Sequence, residues 1–82
     1  MSIKKNSGAV DQCIRESLAL YFSDLRGVEP SGMHAMLIQA VERPLLEVVM
    51  QRAGGNQSRA AGWLGMNRNT LRKKLADHGL LP

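Results

Sequence analysis

The residues best suited to chemistry lie in one short stretch near the C-terminus: Asn67, Arg68, Asn69 and Thr70, followed by Arg72, Lys73 and Lys74. Guanidinium, amide, hydroxyl and ammonium groups crowd together there without a carboxylate, and no Asp or Glu occurs between Gln51 and Ala76. Such a set does not break bonds. It holds anions and planar hydrogen-bonding edges. Arginine can fork onto a guanine, and asparagine can read adenine or the backbone. The cations and hydroxyl that follow suit phosphates, which position a protein without reading sequence.

The rest of the chain offers no rival chemistry. Cys13 is the single cysteine, which excludes an internal disulfide and is expected to be a small buried filler. His34 and His78 stand far apart with no carboxylate cluster beside either, so no zinc site is expected. Ser7, Ser17 and Ser23 have no identifiable base, which leaves nucleophilic catalysis without support. Gly54-Gly55-Asn56 is not a phosphate loop, because no strand precedes it and no lysine–serine pair follows. The expectation is no enzyme, no cofactor and no metal.

Charge points to the same region. The net charge is +4, yet residues 1–51 hold five cations and six anions, a sum of −1. Residues 52–82 hold Arg52, Arg59, Arg68, Arg72, Lys73 and Lys74 against Asp77 alone, a sum of +5. A basic excess confined to one third of a chain implies a polyanionic partner, nucleic acid before membrane. Taken alone it also fits a solvated helix face. The absence of any acid in the stretch favours nucleic acid.

These residues need elements to hold them. At 82 residues, 44% apolar and 22% charged, the chain has the balance of a single globular domain. No apolar run reaches the roughly 18 residues of a membrane span. Residues 1–9 read as a flexible arm. Val10, Ile14, Leu18, Phe22 and Leu25 recur at helical spacing to about Asp24, ended by Gly27. A second helix runs from Met33 to about Ala53 and is apolar on more than one face. Pro44 lies inside it and is expected to kink it; the alternative is that Pro44 starts a new helix. Together, residues 10–53 read as a two-helix dimerisation core. A chain this short buries only about 60–65% of its unfolded surface, and a helix apolar on two faces needs two partners. One can be the first helix and the other the equivalent helix of a second copy.

Gly54-Gly55 stops that helix, and Asn56 can cap a short one from Gln57 to about Leu64. Gly65 breaks again, Asn67 caps a last helix from Arg68 to about Asp77, and His78-Gly79 close it. Ala61 (with Ala60) supplies a small crossing point, Gly65 a turn tolerant of positive φ, and Leu71 and Leu75 a face turned inward. This is a helix-turn-helix spanning residues 56–79, with its motif at about 57–76. In such a motif the start of the second helix, here Asn67 and Arg68, faces base edges. Thr70, Arg72, Lys73 and Lys74 fall on phosphates, and Asn56 and Ser58 offer donors to a further phosphate. Trp63 is expected between the helix pairs or at the joint with the core.

The strings Pro44-Leu45-Leu46-Glu47, Val49-Met50-Gln51, Gly55-Asn56-Gln57-Ser58-Arg59-Ala60-Ala61, Gly65-Met66-Asn67-Arg68 and Thr70-Leu71-Arg72-Lys73-Lys74-Leu75 closely resemble the Fis family, the bacterial factor for inversion stimulation. The match covers about residues 40–79. The resemblance implies an all-α fold, four helices per subunit, with an intertwined homodimer core and a C-terminal helix-turn-helix at each end. It implies a cytoplasmic, nucleoid-associated protein that bends double-stranded DNA at loosely defined sites and regulates transcription, recombination and replication, with RNA polymerase as a further candidate partner. By resemblance, Arg68 meets a guanine at the site edge and Asn67 an adjacent base. Asn56, Ser58, Arg59, Thr70, Arg72, Lys73 and Lys74 serve phosphates or flanking backbone. Ser58 stands where threonine is common, and Asn69 where a glycine can occur. The stretch before the first helix is too short for the β-hairpin arm by which some members activate DNA invertases, so activation by that route is not expected.

Two other readings compete. The motif also ends enhancer-binding activators, so the chain could be such a C-terminal domain. Alternatively, the basic helix could grip an acidic protein, making the chain an interaction module.

Overall fold

The computed structural model describes residues 7–82, and the expected flexibility of residues 1–6 lies outside them. Among the described residues there are four helices and no strands: α1 (Ser7–Leu25), α2 (Met33–Arg52), α3 (Gln57–Leu64) and α4 (Arg68–Asp77). The fold class is all-α, as expected. The chain divides into two compact units, one ending at Met33 and one running from His34 to Pro82.

The first unit contains α1. Ser7, Gly8 and Ala9, expected in the flexible arm, are helical. Apolar periodicity registers only from the first apolar residue and cannot see a small-residue first turn. Beyond Leu25 the chain turns through Arg26, at φ 53°, with the Val28 N–H donating to the Leu25 carbonyl at 3.0 Å. Ile14, Leu18, Tyr21 and Leu25 are half-buried, whereas Val10, Leu20 and Phe22 are exposed. Cys13 is exposed, contrary to the expectation of a buried filler, because it lies off the stripe that Ile14 and Leu18 define.

The second unit is built around a closed core. Leu46 and Ala53 from α2 and its end, Ala60 and Ala61 from α3, and Leu71 and Leu75 from α4 are all buried. Leu46 and Leu71 have no exposed surface. Burying each leucine contributes about 1.5–3 kcal/mol. The two alanines let α4 approach α3, because a larger side chain there would hold the helices apart. Val49, Met50, Leu64, Met66, Leu80 and Leu81 pack around the cluster. Pro44 sits within one uninterrupted α2, so it does not start a new helix.

Helix ends follow from their sequences. At the end of α2 the Gly54 N–H donates to the Gln51 carbonyl at 3.1 Å and the Gly55 N–H to the Met50 carbonyl at 3.0 Å, the paired bonds of a Schellman ending. The same pair closes α4: Gly79 to Ala76 at 3.0 Å and Leu80 to Leu75 at 2.7 Å. Between α3 and α4 the chain reverses at Gly65, whose φ of 74° is left-handed and strained for any residue with a Cβ. The Met66 N–H then bonds the Ala61 carbonyl at 3.1 Å, which aims the Met66 side chain into the core cluster. No helix among the described residues is long and apolar enough to cross a membrane.

Candidate nucleic-acid interface

The interface rests on two capped helix starts. Asn56, in an extended conformation, accepts the Arg59 N–H on its side-chain oxygen at 3.0 Å. Asn67 repeats the arrangement, accepting the Thr70 N–H at 2.8 Å. Each cap satisfies one orphan donor and leaves the first N–H groups of its helix aimed outward, where an anion is favoured. The caps also constrain chemistry. The carbonyl oxygen of Asn67 spends one of its two lone pairs on the cap, so its NH2 group is the function left wholly free. Two-pronged adenine readout needs both atoms, whereas a single bond to an acceptor edge does not.

Around the start of α3 an open polar cleft of about 330 Å³ is lined by Gly55, Asn56, Gln57, Ser58, Arg68 and Arg72. Four of the expected site residues, Asn56, Ser58, Arg68 and Arg72, therefore meet at one place. Arg68 and Arg72 are one turn apart on the flank of α4 that faces the α3 start. None of the six lining residues is acidic. Gln57 was not among the expected residues; its position just after the cap, in the first turn, was the available signal. Thr70 and Lys73 are exposed, off the flank that carries the two arginines. Arg59 also lies apart from the cleft. Its guanidinium carbon stands 5.0 Å from the ring centre of Trp63, one turn on along α3. Trp63 is 53% exposed, so it does not fill a space between helix pairs.

Lys74 does not join this group, although it was expected on a phosphate. It projects from the other flank of α4, where its Nζ donates to Glu42 Oε2 at 2.9 Å. The other carboxylate oxygen, Oε1, lies 3.0 Å from His78 Nε2. A carboxylate oxygen can only accept, so Nε2 carries the proton in this contact. Arg43 adds a third link, its Nη1 donating to the backbone carbonyl of His78 at the end of α4. The Lys74 ammonium, and after it the His78 ring, hold the Glu42 carboxyl below its usual value of 4.5, with burial acting the other way. His78, expected to close α4, stands at its C-terminal end with its ring directed onto Glu42. Glu42 and Arg43 could not be foreseen, since their partners lie 32 to 36 residues along the chain. No group of His, Cys, Asp and Glu suited to a metal occurs among the described residues.

A capped helix pair around a closed core, with an acid-free basic cleft at the helix starts, defines a helix-turn-helix protein. The sequence model described as Bacterial regulatory protein, Fis family, matches residues 37–78. The chain is 60% identical over 72 residues to a Fis-like DNA-binding protein of Ralstonia nicotianae, covering 88% of this chain and 94% of the relative. It is 58% identical over 72 residues to a Fis-like DNA-binding protein of Neisseria meningitidis serogroup B, covering 88% and 91%. To the DNA-binding protein Fis of Yersinia enterocolitica it is 45% identical over 67 residues, covering 82% and 68%. The chain belongs to the Fis family.

Proposed function

We propose that this Fis-family chain binds double-stranded DNA as a homodimer, bends it, and regulates transcription, recombination and replication from the bacterial nucleoid. The observation that carries the reading is the acid-free cleft in which Arg68 and Arg72 face the capped start of α3. In this reading a backbone phosphate sits at the α3 start, held by Ser58, Arg72 and the first N–H groups of the helix. That contact sets the register. Arg68, at the first turn of α4, then meets a base edge in the major groove, with Asn67 donating beside it. Thr70, Lys73 and Arg59 serve flanking phosphates. Because base contacts are few, much of the sequence preference comes from how easily the DNA between two half-sites bends and narrows.

Dimerisation is supported by where apolar surface is left uncovered. Of the ten large apolar residues exposed among those described, nine precede Gln51: Val10, Leu20, Phe22, Val28, Met36, Ile38, Val41, Leu45 and Val48. Large apolar side chains left uncovered in this number favour a role in association. A second copy supplies matching apolar surface and the twofold axis that relates two half-sites. The domain division that follows is a dimerisation core over residues 10–53 and a DNA-binding unit over residues 56–79. RNA polymerase is a further candidate partner of the exposed surface.

The test is a fluorescence-anisotropy titration against a short duplex and a single-stranded RNA of equal length, each at two salt concentrations. The reading predicts preference for the duplex and loss of affinity by orders of magnitude across ordinary ionic strengths. Equal binding to both would refute it, because the major groove of duplex RNA excludes such a helix and single strands offer it no groove.

A further inference from the structure

Three of the contacts described above converge on one seam between α2 and α4, and none involves the basic cleft. Lys74 Nζ and His78 Nε2 share the two oxygens of Glu42 at 2.9 and 3.0 Å, and Arg43 holds the His78 carbonyl. The side chains of Glu42 and His78 are only 21% and 10% exposed, and that of Lys74 35%. Lys74 and His78 are one turn apart on α4, so the carboxylate of Glu42 bridges two rungs of the same helix. Leu71 and Leu75 already hold α4 to the core, and polar bonds on the Glu42 flank add restraint at its edge. Two bonds at successive turns, with a third at the helix end, oppose both roll and tilt of α4 on that core.

We infer that Glu42, Lys74 and His78 form a clamp that sets the angle at which α4 meets DNA, and that Lys74 is a positioning residue instead of a phosphate contact. The inference rests on the DNA-binding reading above. The lysine that sequence places in the basic run spends its charge on Glu42. To reach a phosphate it would have to leave a partly buried carboxylate uncompensated, which is costly. Lys73, its neighbour, is exposed and pairs with no carboxylate among the described residues. The two adjacent lysines therefore do different work: one meets the polyanion, and the other orients the helix that carries Arg68 and Arg72.

The consequences differ in kind. Removing a phosphate contact lowers the slope of log affinity against log salt by about 0.9 per contact. Removing a positioning contact weakens binding at every salt concentration and leaves the slope alone. Removing Glu42 should strengthen binding if it merely repels DNA, but weaken it if it orients α4.

The experiment measures duplex affinity across a salt series for the full chain and for Lys73→Met, Lys74→Met, Glu42→Gln and the Glu42→Gln/Lys74→Met double variant. Helicity is checked by circular dichroism for each. Methionine keeps the apolar stem of lysine. Lys73→Met is expected to flatten the slope. Lys74→Met and Glu42→Gln should each weaken binding severalfold at unchanged slope, and the double variant should lose no more than either single one. The charge-swapped pair Glu42→Lys/Lys74→Glu should recover affinity that Lys74→Glu alone loses, an outcome a phosphate contact does not allow. A flattened slope for Lys74→Met, tighter binding by Glu42→Gln, or unchanged affinity in both would overturn the clamp. Failure of the unaltered chain to bind duplex would overturn the DNA reading, and the clamp's proposed role with it.

Discussion

The stretch from α1 through the first half of α2 and the stretch from Leu46 to Pro82 are both rich in apolar residues, yet they use them differently. In the later stretch Leu46, Ala53, Ala60, Ala61, Leu71 and Leu75 close into one core. In the earlier stretch no residue from Gly8 to Leu45 is fully buried, and Leu20, Ile38 and Leu45 stand exposed. The later stretch also satisfies its helix ends locally, by asparagine caps at Asn56 and Asn67 and by Schellman pairs. A region complete in itself can present a rigid surface. A region with uncovered apolar faces is suited to assembly. The division of labour proposed here, recognition by α3–α4 and dimerisation by α1–α2, follows from that contrast.

Core truncation should separate the two most sharply. Leu71→Ala removes a side chain with no exposed surface and should cost about 2–5 kcal/mol, whereas Leu20→Ala, at 68% exposed, should change monomer stability by less than about 0.5 kcal/mol. Urea denaturation at low protein concentration measures both, and comparable losses would erase the contrast. Next, Val41→Glu puts a charge on the uncovered face of α2. Sedimentation equilibrium should show the dimer dissociating while the helical content of α3–α4 persists; an unchanged dimer would move the interface elsewhere.

Within the recognition unit, Arg68→Ala should cost about 1–3 kcal/mol on the preferred duplex and relax preference at the site edges. A binding-site selection experiment that returned an unaltered sequence profile would remove Arg68 from base readout. Asn67→Ala should lower stability by about 1 kcal/mol through loss of the α4 cap, visible in thermal unfolding without DNA. The smallest effect concerns acid. The carboxyl of Glu42 is held below 4.5 in the folded protein, so its contribution is present above that value and lost as pH falls through the lower folded one. The stability difference between the natural chain and Glu42→Gln should therefore be full near neutrality and shrink below about pH 4.5. A difference that grew in acid would contradict the ion pairing.

What could be read from the sequence was local. Asn56, Gly65, Asn67 and Gly79 set helix limits through bonds to residues within five positions, and the bounds of α3 and α4 agree with the spacing of their apolar residues. The inward pair Leu71 and Leu75 was legible for the same reason. The helical state of Ser7, Gly8 and Ala9 was not, since they carry no periodic signal. The contact of Trp63 with Arg59 was legible in principle, because the two stand four residues apart on one helix face. Lys74 was grouped with its neighbours because charge along a sequence does not reveal which flank of a helix a side chain takes. Its partner Glu42 lies on another helix, and only the packing of α4 on α2 brings them together.

The most direct test of the central claim is a gel-shift titration on circularly permuted duplex probes at two salt concentrations. The account predicts one retarded complex with two chains per duplex. Its mobility should depend on the position of the site within the probe, and raising the salt should weaken it steeply. A chain that forms no complex with duplex DNA at low salt would contradict the account at its foundation, and complexes of equal mobility on every probe would contradict the bending.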